Sequence, residues 1–125
     1  MSIDDISSQV LKHAFAVHTE LGPGLLESAY HACLYYELIN AGFHVESEKP
    51  LPLVYKGVKL ECGYRVDLLV EGQFVVELKA VDEIAPIHLA QVLTYLKLMD
   101  LRHGMILNFN VKSLKNGIKR VVNGY

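Results

Sequence analysis

This 125-residue chain lacks a cysteine framework and any long apolar run. Cys33 and Cys62 are its only cysteines, too few for a stapled scaffold or a cysteine-built zinc site. Both lie in apolar-patterned segments, which suits a reduced cytoplasm. No uninterrupted apolar stretch approaches the roughly 20 residues that cross a bilayer, and the opening Met1-Ser2-Ile3-Asp4-Asp5 has no basic stretch of the kind that starts a secretion signal. Neither a membrane span nor a leader is expected. Repeats, linkers and low-complexity segments are also missing.

An excess of positive charge is missing too. The formal net charge is -2, whereas proteins that grip phosphates nonspecifically are usually basic. The average conceals an asymmetry. All fourteen acidic residues fall in the first hundred positions beside seven basic ones, while the last 25 residues hold Arg102, Lys112, Lys115, Lys119 and Arg120 and no acid. The C-terminal end is therefore where a polyanion is expected to dock.

What the chain does have is apolar material: 51% of residues are hydrophobic and 21% charged. That excludes disorder as the main state and, at this length, favours a single domain over 1–125. Ile3, Ile6, Val10, Ala14, Val17 and Leu21 recur at helical spacing, with Asp4, Asp5 and Ser7 near the start to satisfy free N–H groups; this predicts a helix over about 4–20. Gly22-Pro23-Gly24 interrupts it, and a second helical pattern runs over 25–41 with Gly42 as its stop.

From Phe43 the period changes to two. Strands are predicted at Phe43-His44-Val45, at Leu51–Tyr55 and, after a Lys56-Gly57 turn, at Val58–Leu60; prolines put the first of these at an edge. Tyr64–Val70 and Phe74–Ala80 read as a hairpin around Glu71-Gly72. Pro86 opens an apolar helix through Asp100, Gly104–Phe109 reads as a buried strand, and Ile118–Val122 follows a Lys115-Asn116-Gly117 turn as a short final strand. The order ααβββ(β)αβ(β) describes an α/β fold, a mixed sheet flanked by helices.

The chemistry concentrates in the hairpin. Val66, Leu68 and Val70 alternate with Arg65 and Asp67, and Phe74, Val76 and Leu78 alternate with Glu77 and Lys79, so one face reads as greasy and the other as charged. Asp67 shares a face with Glu77 and Lys79 if the loop is odd in length, and lies opposite them if it has two residues. Gly72 suits the left-handed position of a three-residue loop. Two carboxylates and an ammonium on neighbouring strands can serve metal-dependent phosphodiester hydrolysis: oxygens hold a hard cation, the Leu78 carbonyl can add another, and the lysine can orient or deprotonate water. The same residues could instead form a cross-strand salt-bridge cluster on a solvated face.

Asp67, then Glu77-Leu78-Lys79, then Gln91-Val92-Leu93-Thr94-Tyr95 on the following helix resembles the PD-(D/E)xK nuclease superfamily. The Q-x-x-x-Y element resembles its RecB-like and phage-exonuclease branch. Gly24-Leu25-Leu26-Glu27-Ser28-Ala29-Tyr30 is similar to the signature of the small bacterial GxxExxY family within it. The resemblance runs from about Leu21 to Asn123, with one departure: Val66 stands where a proline usually precedes the aspartate, a backbone-shaping position.

The resemblance implies a restriction-endonuclease-like fold and a nuclease using Mg²⁺ or Mn²⁺, with metal-bound water attacking near Lys79. It implies Asp67 and Glu77 as metal ligands, to which the Leu78 carbonyl can be added, Lys79 as the catalytic lysine, and Glu27 and Gln91 beside it in catalytic roles; Tyr95 and Tyr30 are the expected substrate contacts, joined by Lys119 and Arg120 of the basic C-terminal segment as phosphate contacts. The expected partner is nucleic acid, DNA favoured over RNA, and self-association into a homodimer is compatible with the apolar surplus. A non-catalytic nucleic-acid- or protein-binding adaptor on the same fold is the alternative.

Each residue also has a plainer reading. Glu27 can stabilise a helix N-terminus, Gln91 can cap a buried strand end, and Tyr30 and Tyr95 can be core aromatics. His18, His31 and His88 have no zinc spacing and read as structural or surface residues. Asp82 and Glu83 bias a helix start, and the C-terminal lysines can form an ordinary solvated face.

Overall fold

The computed structural model describes residues 1–124. The first helix, α1 at Ile3–Leu21, starts at a capping box in which the Ser2 hydroxyl accepts from the Asp5 N–H while the Asp5 carboxylate accepts from the Ser2 N–H. The second, α2 at Glu27–Asn40, ends in a Schellman motif: Gly42, at φ 92°, donates to the Ile39 carbonyl and Phe43 to that of Leu38. Gly42 can take that left-handed conformation because it has no side chain to clash.

Among the described residues seven strands follow: β1 (Val45–Pro50), β2 (Leu53–Tyr55), β3 (Val58–Leu60), β4 (Arg65–Val70), β5 (Phe74–Lys79), β6 (His103–Asn108) and β7 (Ile118–Val122). A third helix, α3 at Pro86–Met99, lies between β5 and β6 with Pro86 in its first turn. The main sheet runs β1-β4-β5-β6-β7. Of its neighbours only β5 and β6 are parallel, which is why a helix has to carry the chain between them.

Helices cover both faces of this sheet. On one, Ile6, Val10 and Ala14 of α1 and Tyr30, Leu34 and Leu38 of α2 pack against Leu68, Val70, Val76, Leu78 and Met105. On the other, Val92, Tyr95 and Leu96 of α3 pack against Val66, Leu69, Val75 and Ile106. Each fully buried aliphatic side chain contributes about 1.5 to 3 kcal/mol, so the two layers together clamp the central strands. Among the described residues no helix is long and apolar enough to cross a membrane.

The predicted element types hold, with three corrections. Glu46-Ser47-Glu48-Lys49 is strand although it carries no apolar alternation; β1 is an edge strand, paired along one side only, and an edge tolerates polar residues and Pro50. The two short strands predicted over 51–60 do not join the main sheet; they form a separate ribbon, β2 with β3, around Lys56 and Gly57. The β4-β5 hairpin is not greasy on one face and charged on the other, because α3 buries Leu69 and Val75 on the second face.

Candidate active site

The site begins with the loop between β4 and β5. Val70 pairs with Phe74 across Glu71-Gly72-Gln73, a three-residue loop in which Glu71 and Gly72 have positive φ (54° and 65°) and Gln73 donates to the Val70 carbonyl. Odd loop length fixes the register, and the next position beyond the pair Leu68–Val76 sets Asp67 opposite Glu77.

There the backbone ladder stops. The Asp67 N–H donates to Glu77 Oε1 at 2.9 Å, and the Leu78 N–H donates to Asp67 Oδ2 at 2.9 Å. Each strand therefore satisfies a backbone donor with the other strand's carboxylate, and β4 and β5 fork apart. The break continues on the other side of β4, where pairing with β1 skips Asp67 and Glu48, and Glu48 has φ 51°. Alternation slips at this point: Leu68 and Val70 face α1 and α2, yet Val66 joins Leu69 under α3. Bulge-like irregularities of this kind re-aim side chains.

Burial and like charge oppose ionisation at the fork. Glu77 is only 4% exposed. Burial first, and then the neighbouring Asp67 charge, push its carboxyl up to about 8, against the lowering effect of the Asp67 N–H and of Lys79. Glu27, at the start of α2, is raised by loss of surrounding water and then by Asp67, with Lys79, His31 and His88 opposing. The same interactions couple Glu27 electrostatically to Asp67, Lys79 and His88. Lys79 is half-buried at the end of β5, and its own carbonyl accepts from the N–H of Phe109, just past the end of β6, at 2.9 Å. Because successive strand carbonyls alternate in direction, the Leu78 carbonyl turns the other way, toward β4 and Asp67.

Beside the fork stands α3, whose Tyr95 feels the charges of Glu77 and Asp67, although the acids themselves do not line the cleft beside this helix. That cleft, of about 400 Å³, is lined by Tyr64, His88, Gln91, Thr94 and Tyr95 among others. His88, Gln91 and Tyr95 are spaced three and four residues apart, which puts them on one helix face. Tyr95 is 3% exposed and packs edge-on against Tyr64, with ring centroids 6.0 Å apart. Burial, then Glu77 and Asp67, push its phenol up to about 12, so it stays a hydrogen-bond donor beside the acids.

Two residues of this cleft escape sequence reasoning. His88 is structural, as expected, in that its Nδ1 accepts from the Ala85 N–H at 3.0 Å and caps the start of α3, but its side chain also lines the cleft, which the sequence expectation omits. Its signal is its place three residues before Gln91. Tyr64 gives no signal at all, since only the fold brings it against α3.

Other expected site residues lie elsewhere. Tyr30 is fully buried, stacks on Phe109 at 4.6 Å, donates to the Gly22 carbonyl at 2.6 Å and accepts from the Leu25 N–H at 3.1 Å. It cannot touch a substrate; it pins the loop that presents Glu27. Arg120 does not join the site either, because its guanidinium donates to Ser7 on α1 at 2.6 Å. Lys119 points to the opposite side of edge strand β7 and lines a separate 210 Å³ pocket with Asp82, Glu83 and Asn116.

The donor set suits a hard cation. Among the described residues no group of three or more His, Cys, Asp or Glu side chains is arranged to hold a metal. A protein that offers two carboxylates and a carbonyl leaves the remaining positions to water and substrate phosphate, which is how Mg²⁺ is commonly bound.

A model of the PD-(D/E)XK nuclease superfamily matches residues 4–121. No curated protein and no solved structure matches the chain. The five-stranded mixed sheet flanked by helices agrees with the restriction-endonuclease-like architecture that the resemblance implies.

Proposed function

The chain belongs to the PD-(D/E)XK nuclease superfamily, and from that premise we propose that it hydrolyses nucleic-acid phosphodiester bonds with a divalent cation, Mg²⁺ or Mn²⁺, held by Asp67, Glu77 and the Leu78 carbonyl. One observation carries this reading: at a forked ladder the Asp67 and Glu77 carboxylates each accept a backbone N–H from the opposite strand, and burial with the Asp67 charge raises Glu77 to about 8. An arrangement that resists its own second negative charge gains most from a bound cation.

When bound, the cation supplies charge neutralisation at the phosphate and lowers the pKa of water in its shell. Lys79, beside both acids, orients the attacking water and balances negative charge that builds on the phosphate. Glu27 and Gln91 approach from α2 and α3 to position water and substrate. Tyr95 donates from a hydroxyl that does not ionise near neutral pH. Tyr30, behind the site, supports Glu27 through the Gly22–Leu25 loop. The run Gly24, Glu27, Tyr30 supports placement in the GxxExxY group. We further read residues 1–125 as one nuclease-like domain acting in the cytoplasm on DNA in preference to RNA. The adaptor alternative draws on the modest donor set, two carboxylates rather than three.

Cleavage of labelled single-stranded and duplex DNA and RNA, with and without Mn²⁺, tests the proposal. Cutting should require the cation, and Lys79→Ala or Asp67→Asn should lower it by about 100-fold or more with the fold intact. Cutting at wild-type rates by both variants overturns the assignment, and binding without cutting under every divalent ion selects the adaptor.

A further inference from the structure

Between β1 and β4 the chain leaves the main sheet as an arm. Its strands β2 and β3 pair only with each other, and a two-stranded ribbon of this size has little stability of its own. Register sets Tyr55 opposite Val58 and Leu53 opposite Leu60 on one face. Tyr55 and Val58 are more than half exposed and Leu60 is 42% exposed, a concentration of apolar surface outside both cores.

One cation stands beside that face and others near it. The Lys56 ammonium lies 5.4 Å from the Tyr55 ring centroid; Lys59 pairs with Val54 and so projects from the ribbon's other face, and Arg65 at the foot of the arm is exposed, with Glu61 the one acid of the arm. Among the described residues none of these three cations is ion-paired. The foot of the arm is the wall of the cleft: the Leu51 N–H donates to the Tyr64 carbonyl at 2.9 Å, and Tyr64 stands beside His88 and Gln91, three residues before Asp67. A basic, aromatic ribbon is therefore rooted at the edge of an acidic site.

We propose that the β2-β3 arm binds single-stranded nucleic acid, Lys56 contacting a phosphate and Tyr55 with Val58 packing against unstacked bases. This rests on the nuclease reading and specifies the form of its substrate. Charge complementarity selects a polyanion, because the arm carries Lys56, Lys59 and Arg65 against the single acid Glu61, and a second copy docking arm to arm would bring up the same net positive charge. The apolar face selects single strands, whose bases offer open π-faces; a duplex keeps its bases stacked inside and offers mainly phosphate. The sheet edge and cleft then lie within reach of the strand that the arm holds.

Fluorescence anisotropy with a labelled single-stranded oligonucleotide and the matching duplex, without divalent cations and over a salt series, tests the arm. Wild type should prefer the single strand. Lys56→Ala should weaken binding several-fold and reduce the slope of log K against log salt by about 0.7, the value for one phosphate contact. Tyr55→Ala should weaken single-strand binding several-fold and leave duplex binding unchanged, with unfolding midpoints unaltered because these side chains are exposed. If wild type cuts nucleic acid and the arm variants bind as tightly as it does, the inference fails while the nuclease reading stands. If the variants instead convert a dimer to a monomer in sedimentation, the arm's occupant is a second copy and the inference also fails. Absence of both binding and cutting in wild type removes the nuclease reading and the arm's role with it.

Discussion

The β4-β5 pair has two ends built from the same two strands. At the closed end, Leu68–Val70 lies against Phe74–Val76 in a regular ladder, side chains alternate between two helix-covered cores, and all six residues are buried. At the open end, one step further, Asp67 and Glu77 replace the ladder with carboxylates. Sheet geometry alone would carry the pairing on to Lys79. The acids hold the backbones apart and leave oxygen lone pairs facing one another, at the point where α2 and α3 bring Glu27, His88 and Gln91. Apolar packing is concentrated at one end and the paired acids at the other, about two residues apart.

Substitutions should separate the two ends. Leu68→Ala at the closed end removes a fully buried side chain from the α1-α2 core and should destabilise the protein by about 2 to 5 kcal/mol in urea unfolding. Glu77→Gln at the open end keeps the shape and the acceptor for the Asp67 N–H while removing a buried charge. Its stability at neutral pH should equal or exceed that of wild type, while cation binding and cleavage disappear. Equal destabilisation by both would mean that the open end is ordinary core.

A smaller effect should appear in the dependence of stability on pH. The folded protein holds the Glu77 proton up to about 8, whereas the unfolded chain releases it near the ordinary 4.5. Folding therefore takes up a proton inside that window, and the metal-free protein should lose stability as pH rises from 4.5 to 8, with no contribution from this group outside it. Glu77→Gln should flatten the slope. Added Mn²⁺ should raise the melting temperature at about pH 8 far more than at about pH 5, because the cation binds the ionised pair. A slope that is the same in wild type and variant would assign the effect to other groups.

How much of this contrast the sequence reveals depends on distance along the chain. The helices are legible from apolar spacing and caps, and the closed end from Gly72 and strand alternation. The parity of the loop is open in the sequence, and only the register decides it. Other features come from partners far away in sequence. β1 is invisible in Glu46-Ser47-Glu48-Lys49 because its strand character comes from pairing with apolar residues of β4 rather than from its own side chains, as in the pairs Ser47–Leu68 and Lys49–Val66. The slip at Asp67 needs both Glu48 and Glu77. Tyr30 reads equally well as a core or a cleft aromatic until Phe109 stacks on it, and the basic C-terminal residues look like one patch until edge strand β7 sends Lys119 and Arg120 to opposite faces. Composition locates the cations by segment; the fold redistributes them.

The smallest predicted effect tests whether the closed end can be loosened without touching the open one. Gly72 sits at φ 65° with nothing within 4 Å of where a Cβ would be, so Gly72→Ala meets no neighbour and costs only the strain of its left-handed backbone, about 1 kcal/mol. The next residue back, Glu71, also left-handed, ties the loop to the segment before β1: its N–H donates to the His44 carbonyl and its carboxylate accepts the His44 N–H, each at 2.8 Å. That double contact should keep the loop at three residues when Gly72 is replaced, and with it the facing of Asp67 and Glu77. Gly72→Ala should accordingly lower the urea midpoint slightly and leave Mn²⁺ affinity at the fork unchanged. A large loss of Mn²⁺ affinity would show that the turn governs the acids directly, through a change of register that flips Asp67 away from Glu77.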